Sequence, residues 1–406
     1  MSISGGGEFK RDLSVYALLA MSLGTVIGSG WLLLPGIVAS QAGPASVFSW
    51  IIAGLMMLVV AAVYSELGAT WPAPGAVAKY PHMSHGQFVG HMAGWAAFIA
   101  YVVTPPAEAV AVVRYAGSVW PALVSGNALT PLGIAVAILI LFAISLLCYT
   151  SVKYLGIFET YVTALKYIPI AIFLIFIPLF AFHPVNFTKF GGFTPTGGSG
   201  ILVGTASTLF AFIGFRQALD FGAEAKNPGR DLPRAVLGTI LIATVTYILI
   251  SIVFIGGINW SGLSKVKVGQ WSTLANLPSP MYNLAAASGI GIVAAVLLAD
   301  GIISPNGPNA SNVGTVPRIT YTMAEDGTMP KIFLRLHPKY GTPDAGLLIA
   351  FVIEVGFLFV TAAGYSTLID VVNAAFAVGF ATGPVVLVTL RRTAPHVNRL
   401  YTLRGG

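Results

Sequence analysis

Charge is what this 406-residue sequence has least of: only 9% of its residues are Asp, Glu, Lys or Arg. A water-soluble domain carries about a quarter charged residues and needs them to cover its surface. Hydrophobic residues make up 56% of the chain, so its apolar surface must face lipid. A soluble enzyme, a nucleic-acid-binding protein and a disordered chain are all disfavoured. Cysteine is nearly absent as well. Cys148, the single cysteine, allows no intramolecular disulfide and reveals no redox compartment. Ligand sets for metals are missing: His82, His85 and His91 share one connection without a cysteine or carboxylate at ligand spacing. The glycines at 5–7 and 197–198 lack a following Gly-Lys-Ser/Thr, so no phosphate loop is present. No cofactor and no metal are expected, and no nucleophile–base pair in any apolar run suggests an enzyme. Residues 1–12 lack the charged, apolar, small-residue order of a cleaved signal peptide, so the first apolar segment is expected to be an uncleaved anchor.

Long apolar runs are what the chain has in abundance. A bilayer core needs roughly 20 apolar residues per crossing helix. Ten such segments can be read: 13–40, 45–70, 88–123, 131–150, 154–182, 200–223, 232–258, 282–323, 345–363 and 367–390. Their lengths rule out a membrane β-barrel, whose strands are about 10 residues of alternating polarity. The third and eighth segments are too long for one straight helix. Pro105–Pro106 in the third, and Pro305 and Pro308 in the eighth, predict kinks. Of the 21 Lys and Arg, only Arg114, Lys189, Lys265 and Lys267 fall on one side, and Lys166 and Arg216 lie inside spans. The others gather on the side of the N-terminus, which the positive-inside rule makes cytoplasmic. This distribution accounts for the basic charge without nucleic acid. The expectation is a multi-pass protein of the cell (inner) membrane, with tryptophans such as Trp50, Trp71, Trp120 and Trp260 near span ends.

Two segments carry glycine in mid-membrane. The first reads Gly24-Thr25-Val26-Ile27-Gly28-Ser29-Gly30-Trp31, and the sixth reads Leu209-Phe210-Ala211-Phe212-Ile213-Gly214-Phe215-Arg216. A broken helix frees backbone N–H and C=O groups, which lipid tolerates only around a protein-lined cavity. Half-helix N-termini hold an anionic group and freed carbonyls a cationic one. An amino acid carries both groups on one carbon. Breaks in the first and sixth of ten segments are the mark of an inverted-repeat transporter, although glycines at such positions also serve close helix packing.

These stretches resemble the amino acid–polyamine–organocation transporter superfamily, over nearly the whole chain. Ile27-Gly28-Ser29-Gly30 is similar to its substrate-binding break. Glu224-Ala225-Lys226-Asn227-Pro228-Gly229-Arg230-Asp231-Leu232-Pro233-Arg234-Ala235 resembles the loop after its sixth helix and is the most specific match. Tyr64-Ser65-Glu66-Leu67 with Pro72-Ala73-Pro74-Gly75, and Ala324-Glu325-Asp326-Gly327-Thr328-Met329-Pro330 with Gly341-Thr342-Pro343, are similar to further family loops. The resemblance implies an all-α polytopic core of five plus five inverted helices, broken in helices 1 and 6. On that reading residues 1–12 are a cytoplasmic tail, 13–182 the first repeat, 183–199 an extracellular linker, 200–390 the second repeat and 391–406 a basic cytoplasmic segment. The family's helices 11 and 12 are expected to be absent from this chain.

Ionisable residues inside a membrane cost several kcal/mol and default to functional hypotheses. Lys166 lies mid-span in the fifth segment. The resemblance implies a proton-coupling role, because proton-coupled relatives carry a lysine there where sodium-coupled members bind an ion. A permanent structural cation is the alternative. Arg216 follows the sixth-segment break, and its planar guanidinium suits a carboxylate. Because some relatives that handle basic amino acids carry an acid here, the resemblance implies the reverse preference, an acidic substrate; an internal pair with Asp220 at i+4 is the alternative. Glu108 is read as a second proton carrier or a counter-ion. Phe210 matches a gating aromatic of relatives, and Trp31 carries the same reading; packing is the alternative for both. Asp300, Ser304 and Asn306, with Asn309, Ser311 and Asn312, make the eighth span polar enough to line a cavity or to hold irregular backbone, and Asp220 is grouped with them. Glu66 and Glu224 are read as ion-pairing groups at the inner gate.

The sequence therefore predicts a secondary active transporter. It would bind an amino acid, of the aspartate or glutamate type, at Ile27, Gly28, Ser29, Gly30, Phe212, Ile213, Gly214 and Arg216. Lys166 and Glu108 would couple it to protons. An exchanger without proton coupling and a non-transporting nutrient sensor are the alternatives. The lipid bilayer and protons are the other partners, and the oligomeric state has no signature in the sequence.

Overall fold

The computed structural model describes residues 13–73, 76–126, 128–150, 152–222, 225–338, 340–360 and 364–403, with the backbone alone at 150 and 152–160. The tail with Lys10 and Arg11, the pair Pro74-Gly75, and Glu224, Lys339 and Arg404 lie outside the described residues. Nearly everything described is helical. In chain order the helices are α1 (Val15–Val26), α2 (Ser29–Ala42), α3 (Ser46–Thr70), α4 (Ala76–Ala116), α5 (Pro131–Thr150), α6 (Val152–Phe180) and α7 (Gly197–Thr208). Then follow α8 (Gln217–Asp220), α9 (Pro228–Gly257), α10 (Pro280–Ala287), α11 (Gly291–Ile303), α12 (Asn306–Glu325), α13 (Asp344–Val360) and α14 (Tyr365–Thr393). A small antiparallel hairpin pairs Val124 with Leu129 and Ser125 with Ala128.

Local chemistry sets the helix starts. Ser14 caps α1, its hydroxyl accepting the Ala17 N–H at 3.3 Å. Pro131, Pro228 and Pro280 open α5, α9 and α10, where proline's missing N–H costs nothing and its fixed φ suits the helix.

Among the described residues, eight stretches are long and apolar enough to cross a membrane, against ten segments read from the sequence. The difference lies in grouping and length. A single 3-10 turn at Gly43–Ala45 joins α2 to α3, α13 has only 17 residues, and α1 has 12. The third segment also starts earlier than its apolar run. α4 begins at Ala76, and its sharp turn is at Gly86 (φ 77°, ψ −169°), while Pro105 and Pro106 sit in continuing helix. The eighth segment is three helices: α10 ends at Ala287 before Gly289 (φ 75°), and Ser304–Pro305 separates α11 from α12.

The bundle is sorted as lipid requires. Leu55, Leu139, Ile168, Leu241 and Val352 face outward, whereas Glu66, Glu108, Lys166, Arg216, Asp220, Asp300 and Glu354 are buried. Ionisable groups in spanning segments turn to the interior because hydrocarbon cannot solvate them. Around the centre, α4 packs on α12 and α14, α3 on α9, α2 on α7, and α1 on α6, α9 and the 3-10 stretch after α7.

Candidate functional site

The first break separates Val26, where α1 ends, from Ser29, where α2 begins. Gly28 joins them at φ −141° and ψ −134°. A side chain there would run into Pro308 and approach both Glu108 carboxylate oxygens to 3.1 Å. Breaking a helix leaves terminal carbonyls on one side and N–H groups on the other without helical partners. Each side receives an opposite charge. Lys166 Nζ donates to Gly24 O at 2.5 Å and Ile27 O at 2.7 Å. The Ser29 N–H and hydroxyl donate to Glu108 at 2.9 and 3.0 Å, and the same hydroxyl meets Tyr365 Oη at 2.8 Å. A cation at the C-terminal end and an anion at the N-terminal end are what the helix dipoles favour. Gly307 leaves room for the ammonium: a side chain at that position would displace Lys166 Nζ from where it stands.

The second break is tighter. α7 ends at Thr208, and Leu209–Arg216 continue in 3-10 turns for eight residues before α8. Runs beyond three or four residues are uncommon for this helix and mark hinges or strain. The two breaks touch backbone to backbone: a Cβ at position 214 would lie 2.5 Å from Thr25 C and Val26 N. Tyr247, from α9, sets its hydroxyl against both, 2.8 Å from Val26 O and 3.1 Å from Ala211 O. Ser22 adds a second clasp, donating to Phe215 O at 3.2 Å and accepting the Ala218 N–H at 3.0 Å.

Between the breaks lies a cavity of about 20 Å³, by volume enough for one water molecule. Thr25, Val26 and Gly30 line it from the first break, and Phe210, Ile213 and Gly214 from the second. Tyr101, Thr104 and Glu108 of α4, Gln217, and Pro308 and Asn312 of α12 complete the wall. Phe210 also meets the Tyr365 ring edge-on at 6.3 Å.

The remaining candidates lie elsewhere. Phe212 turns away from the cavity onto Trp50 and Tyr247. Trp31 is fully buried outside the lining. Asp300 and Ser304 are buried on α11 and at its junction with α12, also outside the lining. Asn306 is half-buried, and its amide donates back to Ile302 O of α11 at 2.6 Å, so it bridges the junction between α11 and α12 rather than lining the cavity. Of the polar residues read on that span, Asn312 reaches the lining and Ser311 accepts from Thr25 Oγ1 at 3.1 Å.

Arg216 sits one layer from the cavity, fully buried. Its Cζ lies 5.1 Å from the Phe376 ring centre, 5.5 Å from Tyr101, 5.6 Å from Phe380 and 5.7 Å from Tyr64. None of its three guanidinium nitrogens has a hydrogen-bond partner. Asp220 does not form an ion pair with it; the Asp220 carboxylate instead accepts the Tyr101 hydroxyl at 2.8 Å.

Sequence reasoning missed the tyrosines that tie this site together. Tyr101, Tyr247 and Tyr365 look like any core aromatic in an apolar helix. Glu354 was missed too, though an acid in the apolar run of α13 is a visible signal. It is fully buried and neither carboxylate oxygen has a partner.

Comparison with known proteins matches residues 13–403 to the amino acid permease family model. The chain is 37% identical, over 98% of its length and 74% of the relative's, to the glutamate/serine transporter AimA of Bacillus subtilis (strain 168). It is 31% identical to the aspartate-proton symporter of the same organism, over 99% of this chain and 77% of that one. A methylthioribose transporter from that bacterium is 27% identical over 97% of this chain and 84% of its own. This chain belongs to the amino acid permease family. It is a multi-pass membrane transporter of the amino acid–polyamine–organocation superfamily and not an enzyme.

At one end of the permease a second set of charges forms ion pairs. Glu66, at the end of α3, accepts Arg391 Nε at 2.8 Å and the Leu403 N–H at 2.8 Å, with Arg399 3.7 Å away. Arg399 also lies over the Trp71 ring, and Lys79 pairs with Asp326 at 3.0 Å. These contacts fasten α3, α4, α12 and the segment after α14 at one end of the bundle.

Proposed function

We propose that this permease is a proton-coupled symporter of amino acids, acidic ones of the aspartate and glutamate type first, working by alternating access with its N-terminus in the cytoplasm. Two inverted five-helix repeats, residues 13–182 and 200–390, carry one break each and meet at the cavity. The observation that carries the substrate class is Arg216, a buried guanidinium without a hydrogen-bond partner beside a cavity built from two helix breaks. Leaving such a charge uncompensated costs about 3–5 kcal/mol, and a substrate side-chain carboxylate removes that cost. The substrate's own charged ends find complementary ends at the breaks: N–H groups of α2 beyond Ser29, whose own N–H Glu108 takes, receive the α-carboxylate when Glu108 carries its proton, and carbonyls near Thr25 and Ile213 receive the ammonium. The small cavity volume supports movement, because an amino acid enters only when the lining helices part.

Lys166 supports the proton reading. Its ammonium holds the last carbonyls of α1, so losing the proton weakens the grip on the very break that lines the cavity. Protonation and the shape of the site are thereby linked. The relative described as an aspartate-proton symporter favours the proton reading, and that one and the glutamate/serine transporter both favour an acidic substrate.

The test is uptake of labelled aspartate into proteoliposomes, with and without an inward proton gradient, competed by unlabelled amino acids. Accumulation driven by the gradient and blocked by glutamate is expected. Uptake only into preloaded vesicles would make the permease an exchanger, and saturable binding without flux would make it a sensor.

A further inference from the structure

Arg216 poses a difficulty for the empty carrier. Its guanidinium cannot shed the proton, and four aromatic faces offset only part of the lost hydration. A bound acidic substrate neutralises it on the inward journey. Net transport, however, also requires the carrier to return without substrate, and the buried cation would then make that journey alone.

Asp220 stands where an internal anion is needed. It follows Arg216 by four residues, through the last 3-10 turn into α8, a spacing that puts both side chains on one helix face. It is 4% exposed. Tyr101 stands between the two: its ring lies 5.5 Å from Arg216 Cζ, and its hydroxyl donates to Asp220 Oδ2 at 2.8 Å. The same Tyr101 lines the cavity, so a substrate arriving there meets the residue that holds the carboxylate aside. The other cation on this side, Arg318 of α12, is engaged with Gly314 O and lies over the Phe221 ring at 5.4 Å.

Resting on the acidic-substrate reading above, we infer that Asp220 is a built-in stand-in for the substrate side-chain carboxylate. It swings from Tyr101 to Arg216 when the carrier is empty and gives way when substrate binds. Exchange of one substrate for another never uses the empty carrier, whereas net uptake uses it once per cycle. Asp220 therefore governs the ratio of the two.

Purified permease in liposomes, with labelled aspartate as probe, separates these modes. One set of vesicles is loaded with unlabelled aspartate to read exchange; an empty set with an inward proton gradient reads net uptake. In Asp220→Asn the ratio of net uptake to exchange is expected to fall on the order of a hundredfold, the scale of an uncompensated buried charge. Asp220→Glu restores the ratio. In the double variant Arg216→Gln/Asp220→Asn, which removes both charges, net flux of serine as a neutral probe is expected to return. Equal loss of both modes in Asp220→Asn at unchanged protein level, or an unchanged ratio, overturns the inference while leaving the substrate reading intact. If wild-type vesicles move only neutral amino acids, the substrate reading falls and the inference with it.

Discussion

Glu108 holds Ser29 twice, accepting its backbone N–H at 2.9 Å and its hydroxyl at 3.0 Å. The carboxylate thus replaces the helical partner that the first break removed and places a negative charge at the start of α2. Glu108→Gln keeps the size but turns one acceptor into a donor facing another donor. A loss of about 1–3 kcal/mol of stability is expected, together with a raised KM. Thermal unfolding of the purified permease and saturation of uptake measure the two. An unchanged KM would separate Glu108 from the site.

Lys166→Ala removes the ammonium from Gly24 O and Ile27 O. Exchange is expected to persist, while stimulation by an inward proton gradient disappears. Proteoliposome uptake at fixed internal pH and varied external pH reads the difference. A variant that still concentrates substrate on the gradient assigns coupling elsewhere, with Asp300 and Glu354 the next buried acids to examine.

Arg216→Ala tests the substrate class directly. Aspartate uptake is expected to be lost, while small neutral amino acids are still carried, because the cavity wall itself does not include Arg216. Competition of labelled serine by a panel of amino acids shows the change. Parallel loss of both substrates with protein amount unchanged would make Arg216 structural.

Tyr247→Phe deletes a hydroxyl that touches both breaks. It leaves Val26 O and Ala211 O without that donor, an effect of about 1–3 kcal/mol for a buried group. A lower Tm is expected, with hydrogen exchange rising at residues 24–30 and 209–216 together. Exchange rising at only one of them would show that the breaks are not coupled through Tyr247.

Much of this was legible because lipid imposes a simple rule. Runs of apolar residues have to become helices, and Gly24, Gly28 and Gly30 have the lowest propensity to stay helical after proline. The expectation of a break in the first segment followed from that. Pro105 and Pro106 misled for the opposite reason: proline weakens a helix, but neighbouring helices in a membrane bundle can support it, and here the chain turns at Gly86 instead. The polar residues of the eighth span could not be sorted without coordinates, since residues one or two positions apart point to different neighbours. Asn312 reaches the cavity, while Asn306 bonds back to Ile302 of α11. Tyrosine hydroxyls are the least readable, because the ring accounts for their burial and nothing in the sequence says where the oxygen points.

The eight residues from Leu209 to Arg216 are wound in 3-10 turns. Such turns rise about 2.0 Å per residue against 1.5 Å in an α-helix, so rewinding this stretch would shorten it by about 4 Å. The tight stretch is in that sense a spring in series with the bundle, and its stroke would draw Arg216 toward Thr208. Spin labels at Leu202 and Lys226, both exposed, report the length between them. A distance that shortens when aspartate is added means the spring is released by its load, and one that stays constant makes the stretch a rigid strut.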